Sequence, residues 1–209
     1  MLETAQMSWF LVASLALIAI PGQDNIYIIT RGIAQGRKAA LVSAWGVGLG
    51  LLIYTSLTAL GLSALLKESN PAFAAVKYVG AAYLTYLGAR MILSKGSLTI
   101  LGEERPEVRL RAIFFQGVAS NALNPKVALF FLAFLPQFVS PEENPTWQLA
   151  VLGSIFTLLT LVITSLLAYF SGSLGDWLRR KPGSARVLQW LAGSVLIGLG
   201  VRLALATQG

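Results

Sequence analysis

The segment Asn124-Pro-Lys-Val-Ala-Leu-Phe-Phe-Leu-Ala-Phe-Leu-Pro-Gln-Phe138 is the most informative part of the sequence. It places a proline and a lysine inside a long apolar run. That run extends over residues 112–139, which is long enough to cross about 30 Å of hydrocarbon as a helix. Proline removes an amide donor and clashes with the carbonyl four residues earlier. We therefore predict a membrane-spanning helix that is broken near its centre, at Asn124 and Pro125.

A second apolar run, residues 9–30, carries a matching interruption in Ile20-Pro-Gly-Gln-Asp-Asn-Ile-Tyr27. Here Pro21 and Gly22 break the helix, since glycine permits the backbone to leave helical dihedral angles. The two prolines lie about half of the 209-residue chain apart. Carbonyls and amides freed at paired breaks of this kind can bind a solute.

Four further apolar runs complete a pattern of six spans, at residues 39–66, 72–93, 148–175 and 187–206. Only 12% of the residues are charged, compared with about 25% in soluble domains. Helices are expected because lipid satisfies no backbone polar group, and the runs lack the alternation typical of membrane barrels. The predicted fold class is an all-α integral membrane protein with six transmembrane helices.

A charged segment near the middle of the chain predicts a division into two halves. Residues 1–93 form the first three-helix repeat, residues 94–111 a linker, and residues 112–209 the second three-helix repeat. Because three is an odd number of spans, the second repeat enters the membrane with the opposite orientation. The prediction is thus a 3+3 inverted-topology repeat, in which the broken spans 1 and 4 line a site at the membrane midplane.

Basic residues predict the orientation, because twelve of the sixteen fall in the odd-numbered loops. They are Arg31, Arg37 and Lys38 in the first loop, Arg90, Lys95, Arg105, Arg109 and Arg111 in the third, and Arg179, Arg180, Lys181 and Arg186 in the fifth. The positive-inside rule places these loops and the linker in the cytoplasm and both termini outside. The net charge of +7 is therefore attributed to these loops, and no nucleic-acid partner is expected.

The absence of cysteine and histidine excludes disulfides, Cys/His metal sites and any histidine base. An enzyme is not expected, because a serine nucleophile would have no histidine partner and no serine motif supports a Ser–Lys pair with Lys126. No metal site and no other cofactor are predicted.

Two charged residues stand beside the breaks, Asp24 and Lys126. A charge at this depth costs about 2.5–3.5 kcal/mol on insertion scales and is a functional candidate for that reason. Lys126 can hold a carboxylate, while Asp24 can hold an ammonium group or a proton, so that a zwitterionic amino acid would match both. The alternative is a buried Asp24–Lys126 ion pair that joins the two halves, which does not exclude transport.

The predicted substrate- and proton-binding site combines these charges with the break residues and nearby amides. It comprises Pro21, Gly22, Gln23, Asp24, Asn25, Asn121, Asn124, Pro125 and Lys126. Three more polar residues, Thr30, Gln116 and Ser120, could also line a wet cavity. For any of the uncharged side chains the alternative is hydrogen bonding between helices, worth about 0.6 kcal/mol per contact in membranes.

At both breaks the sequence resembles the LysE/RhtB family of bacterial amino-acid exporters. Residues 124–138 are similar to that family's span 4 signature over its whole length, and residues 20–27 are followed by Arg31-Gly and Gln35-Gly-Arg-Lys. The resemblance covers essentially the whole chain. It implies efflux of amino acids or close derivatives, coupled to the proton gradient, in the bacterial inner membrane.

By motif position, the resemblance gives the family's presumed functional roles to Pro21, Gly22, Asp24, Asn124, Pro125 and Lys126. One position departs from it. The family usually has Pro-Gly-Pro in span 1, whereas Gln23 replaces the second proline here. We expect this replacement to soften the break and to add a side-chain amide near the site.

The predicted function is a secondary transporter that exports amino acids or close derivatives by proton antiport with alternating access. Its expected partners are the amino-acid substrate, protons and membrane lipid, and the sequence leaves open whether the chain forms a homodimer. A permease for another small cation or amine is the alternative, although one intramembrane acid makes a poor metal site. Intramembrane charges beside two breaks argue against a non-transporting assembly subunit.

Overall fold

The computed structural model describes residues 4–62, 70–93, 108–140, 143–180 and 182–205, and these residues contain no strand. The helices are α1 (Thr4–Ala19), α2 (Gln23–Leu57), α3 (Asn70–Leu93), α4 (Leu110–Ala122), α5 (Pro125–Leu129), α6 (Pro145–Arg180) and α7 (Pro182–Leu205). A π-helical turn, Thr58–Leu62, follows α2, and α5 continues through a π-helical turn, Phe130–Phe134, and a 3₁₀ turn, Leu135–Phe138. The all-α prediction is confirmed for these residues. Most of the predicted linker, residues 94–107, lies outside them.

Helix α6 shows the reverse of the polarity of a soluble protein. Its buried side chains include Thr160 and Thr164, which are 8% and 1% exposed. Its exposed side chains include Leu158, Val162 and Leu166, each more than half exposed. Because an apolar surface of this kind would be costly in water, the outer face of the bundle is suited to lipid.

Length and apolar composition identify two helices that could cross a membrane, Gln23–Gly61 and Pro145–Ser173. The pair Leu110–Ala122 and Pro125–Phe138, bent by 48°, gives a third span if it is counted as one. Six spans therefore stay a prediction from the sequence.

Both predicted breaks are present. Helix α1 ends at Ala19 and α2 begins at Gln23, with Gly22 in an extended conformation as the N-cap residue of α2. Helix α4 ends at Ala122, and α5 begins at Pro125 after Asn124. The second break follows from the proline, whose ring is tolerated at the first position of a helix but not in its interior.

Gly36 reverses the chain within α2, because its φ of 81° and ψ of 179° are not helical. Before it, Asp24 contacts Ser120 and Gln35 contacts Val108, so the residue order runs opposite to that of α4. After it, the order follows α4.

The contacts after Gly36 are those of Gly46 with Phe114 and of Tyr54 with Ala122. We predicted a loop over residues 31–38, but the helical conformation is interrupted only at Gly36. The two segments of α2 therefore form a helical hairpin with a one-residue turn.

Gly36→Ala is expected to destabilise the protein by about 1 kcal/mol, because a side chain in the left-handed region is strained. Thermal unfolding of the purified protein in detergent measures this effect. Gly198→Ala is the matched control, since Gly198 lies in α7 with open space around its Cα and has no positive φ. Equal unfolding temperatures for the two variants would contradict the strained turn.

Candidate functional site

Asp24 is held by three side chains from the other half of the chain. Ser120 donates a hydrogen bond to Oδ1 at 2.8 Å, and the amides of Asn121 and Asn124 donate to Oδ2 at 2.9 and 2.8 Å. The aspartate is only 7% exposed. Three neutral donors therefore satisfy a buried carboxylate without a cationic hydrogen-bond partner.

Lys126 and Asn25 satisfy the carbonyls that the first break leaves at the end of α1. The Lys126 ammonium donates to the carbonyl oxygens of Leu17 and Ile20, each at 3.1 Å. The Asn25 amide donates to those of Ile18 and Ile20, each at 3.2 Å. A cation at the carboxyl end of a helix is also favoured by the helix dipole.

Asp24 and Lys126 do not pair directly, so the described residues hold no ion pair that joins the two halves at this point. Asp24, just after the first break, accepts hydrogen bonds from Ser120 and Asn121, which precede the second break. Lys126, just after the second break, donates to carbonyls that precede the first break. This crosswise arrangement leaves both charges within a network of exchangeable hydrogen bonds.

Asn124 connects the two breaks through both ends of its amide. Its Oδ1 accepts from the Lys126 backbone amide at 3.0 Å, which caps α5, and its Nδ2 donates to Asp24. Asparagine is a favoured N-cap residue for this reason. Pro125, at the first position of α5, has no amide hydrogen to satisfy.

A small cavity lies at the crossing of the breaks and has about 20 Å³ of free space, enough for about one water molecule. Its lining includes Leu17, Ile18, Asp24, Asn25, Leu51, Asn121, Lys126, Val127, Phe156, Thr160 and Thr164. Four predicted site residues thus meet here, namely Asp24, Asn25, Asn121 and Lys126.

The other predicted residues shape the breaks rather than line the cavity. A side chain on Gly22 would contact the Lys126 ammonium, 3.0 Å from the position of its Cβ. Gln23 is exposed and does not line the cavity. A contribution of its amide to the site stays a prediction.

Sequence reasoning missed the contribution of α6. Thr160 and Thr164 line the cavity, and each hydroxyl donates to a carbonyl of its own helix. Their spacing of four residues in a mostly apolar helix is a signal for one polar face. That signal could have identified them as candidates.

Aromatic rings close the structure on the α1 side of the cavity. Phe10 contacts Phe138 edge to face at 5.5 Å between centroids, and Phe130 stacks on Phe156 at 4.0 Å. Phe10 and Phe130 are buried, at 0% and 2% exposure. This side of the site is therefore apolar.

Comparison with known proteins finds similarity along almost the whole chain. The model of the LysE type translocator family matches residues 15–207. An uncharacterized membrane protein of Bacillus subtilis is 31% identical over 91% of this chain and 94% of its own. One from Pseudomonas aeruginosa is 33% identical over 91% of both chains, and one from Vibrio cholerae is 28% identical over 94% and 95%. No solved structure matches.

Substitutions of Asn124 separate its two roles. Asn124→Ser keeps an N-cap oxygen, and Asn124→Ala loses both contacts, so we expect Ala to cost about 1–2 kcal/mol more stability than Ser. Asn124→Asp keeps the cap but turns a like charge toward Asp24, and it should be the least stable variant. Thermal unfolding in detergent gives the order. If Asn124→Asp and Asn124→Ser were equally stable, the hydrogen bond from Asn124 to Asp24 would not contribute as we expect.

Proposed function

Because the chain belongs to the LysE type translocator family, and is thus a membrane transporter rather than an enzyme, we propose that it exports amino acids or close derivatives. The main support for the proposal is the position of Asp24 and Lys126. These opposite charges form no ion pair with each other, and both line one cavity between two broken helices. Free amino acids carry both complementary charges. Their carboxylate would take the place of the α1 carbonyls at Lys126, and their ammonium group would bind Asp24.

Proton exchange at Asp24 accounts for coupling. The ionised carboxylate accepts three hydrogen bonds that join the first segment of α2 to α4. Protonation removes the negative charge that strengthens these three hydrogen bonds. A proton on Oδ2 would also face two amide N–H donors, so the hydrogen bonds between α2 and the other half weaken. A proton taken up from outside would therefore open the cytoplasmic side, and its release inside would allow the amino acid to bind.

The small cavity corresponds to an occluded state in this mechanism. Its free volume accepts about one water and is too small for an amino acid. Alternating access then requires two openings in turn around the breaks. One is on the side of the cavity where α4 packs on the first segment of α2, here called the α4 side, and the other is on the α1 side with its aromatic rings, here called the aromatic side.

A six-span inverted repeat is the architecture we propose for the mechanism, and the helix pairings support it. An inverted repeat pairs each helix with an antiparallel counterpart from the other half. In α3 and α7, Gly88 faces the Gly193 carbonyl and Gly200 faces the Ala81 carbonyl, so the residue order is reversed.

The broken spans are antiparallel in the same way. Phe10 contacts Phe138 near one end, and Lys126 binds Ile20 near the break. The turn at Gly36 further divides the long helix α2 into a part that belongs to span 1 and a part that forms span 2. We place the protein in the bacterial cytoplasmic membrane with both termini outside, as the basic loops favour.

A permease for another small cation or amine has weaker support. The Lys126 ammonium lines the same cavity as Asp24 and would repel a cation. Within the described residues, no group of three His, Cys, Asp or Glu side chains could hold a metal ion.

Asp24→Asn and Lys126→Met are each expected to lower efflux about tenfold or more, since each removes a hydrogen-bonded charge worth about 1.5–3 kcal/mol. Proteoliposomes loaded with all twenty amino acids and exposed to a proton gradient provide the measurement, with chromatography of the released material. Lys38→Met is the control, because this lysine is exposed at the cytoplasmic end. Unchanged efflux in either site variant would refute the mechanism, and release of none of the amino acids would refute the substrate class.

Single cysteines test the orientation directly, because the chain has no cysteine of its own. Ser140→Cys should react with a membrane-impermeant maleimide in intact spheroplasts, and Lys38→Cys only after permeabilisation. Both side chains are exposed. The opposite pattern would invert the proposed topology.

A further inference from the structure

Arg31 is a buried cation that the transport mechanism above does not use. It is only 6% exposed and belongs to the first segment of α2. Its Nη1 donates to Gln35 Oε1 at 2.9 Å and its Nη2 to Gln116 Oε1 at 2.7 Å, while its Nε has no partner. In the part of the chain that the structure describes, no carboxylate pairs with this guanidinium.

The free edge of Arg31 has the shape that carboxylates bind. Nε and Nη2 lie on the same edge of a guanidinium and donate in parallel to the two oxygens of one carboxylate. In Arg31 this edge contacts a single amide oxygen, from Gln116. A buried guanidinium without an anion is costly, so a carboxylate that replaced Gln116 would supply both a second oxygen and the missing charge.

Arg31 belongs to a polar strip between the first segment of α2 and α4. The polar strip consists of Asp24, Tyr27, Arg31, Gln35, Gln116 and Ser120. Arg31 follows Asp24 by seven residues, about two helical turns, so both face α4. The strip thus runs from the end near the Gly36 turn to the cavity.

Two further hydrogen bonds close the strip. The Tyr27 hydroxyl donates to the Ile113 carbonyl at 2.8 Å, and the Gln35 amide donates to the Val108 carbonyl at 3.1 Å. The α1 side of the cavity is aromatic by contrast. The polar strip therefore offers a polar solute hydrogen-bond partners that these aromatic contacts do not.

We propose that the polar strip is the cytoplasmic entrance to the cavity and that Arg31 receives the substrate's carboxylate there. The carboxylate displaces Gln116 from Nη2 and binds Nε at the same time. Loss of the Arg31–Gln116 hydrogen bond removes one of the contacts between α4 and the first segment of α2. Arrival of the anion thus favours opening of the path on to Lys126. This inference rests on the proposed export function for the identity of the anion, although its test does not require transport.

Charged thiol reagents test the entrance without a known substrate. In Ser120→Cys, the cysteine lies on the strip between Arg31 and the cavity. Inside-out vesicles are treated with the anionic sulfonatoethyl and the cationic trimethylammonioethyl methanethiosulfonates. We expect the ratio of anionic to cationic labelling rates to fall about tenfold when Arg31→Gln is added. This is the lower end of the increase that a charged cleft gives to the association rate of an oppositely charged molecule.

Arg37→Gln is the matched control, because Arg37 is exposed one residue beyond the turn and stacks on Tyr169 at 4.4 Å. It should leave the labelling ratio unchanged. If Arg31→Gln does not fold, Arg31→Lys takes its place; it keeps the charge but not the two-donor edge, and should lower the ratio by a smaller factor.

Three results would overturn the proposal: no labelling of the cysteine by either reagent, a ratio that no Arg31 variant changes, or an equal change with Arg37→Gln. Efflux from proteoliposomes is measured separately on the proteins without the added cysteine. Efflux with unselective labelling would refute only the entrance, whereas selective labelling without efflux would refute only the export function.

Discussion

Lipid offers no hydrogen-bond partner to a broken helix, so everything at the centre of this protein depends on the capping of each break by the opposite half. Lys126 satisfies the carbonyls at the end of α1, and side chains of α4 satisfy Asp24. Each half thus supplies hydrogen-bond partners at the break of the other, in addition to those from Asn25 and Asn124 at their own breaks. Because both contacts are hydrogen bonds to neutral groups rather than an ion pair, a solute can replace them one at a time without separating two charges.

The sequence predicted what is local at this site and missed what packing decides. Pro21 and Pro125 act on their own backbone, so both breaks are where we expected them. The cost of a charge in lipid likewise identified Asp24 and Lys126. The crosswise arrangement could not be predicted, because the same two residues at the same positions are equally compatible with an ion pair between Asp24 and Lys126. Thr160 was missed because its four-residue spacing from Thr164, which places both on one helix face, was not used.

Arg31 shows a limit of charge counting in membrane proteins. We assigned it to a cytoplasmic loop because the positive-inside rule treats every basic residue near a span end alike. In the structure the helix continues through it, since Gln35 and Gln116 supply partners for its side chain, and only Gly36 is needed to turn the chain. A basic residue is thus a candidate for a buried position when polar side chains lie one turn away on its own helix and on the helix packed against it.

The two closures of the cavity differ in what can open them. Contacts in the polar strip can be exchanged for groups of an arriving solute, so the chemistry of the solute determines the free energy of opening on that side. The contact between Phe10 and Phe138 is lost without replacement, and its cost is the same for any solute. A ligand shifts a conformational equilibrium only by its differential affinity for the two states. In the proposed mechanism, selection among solutes therefore belongs to the α4 side, while the aromatic side sets a barrier common to all of them.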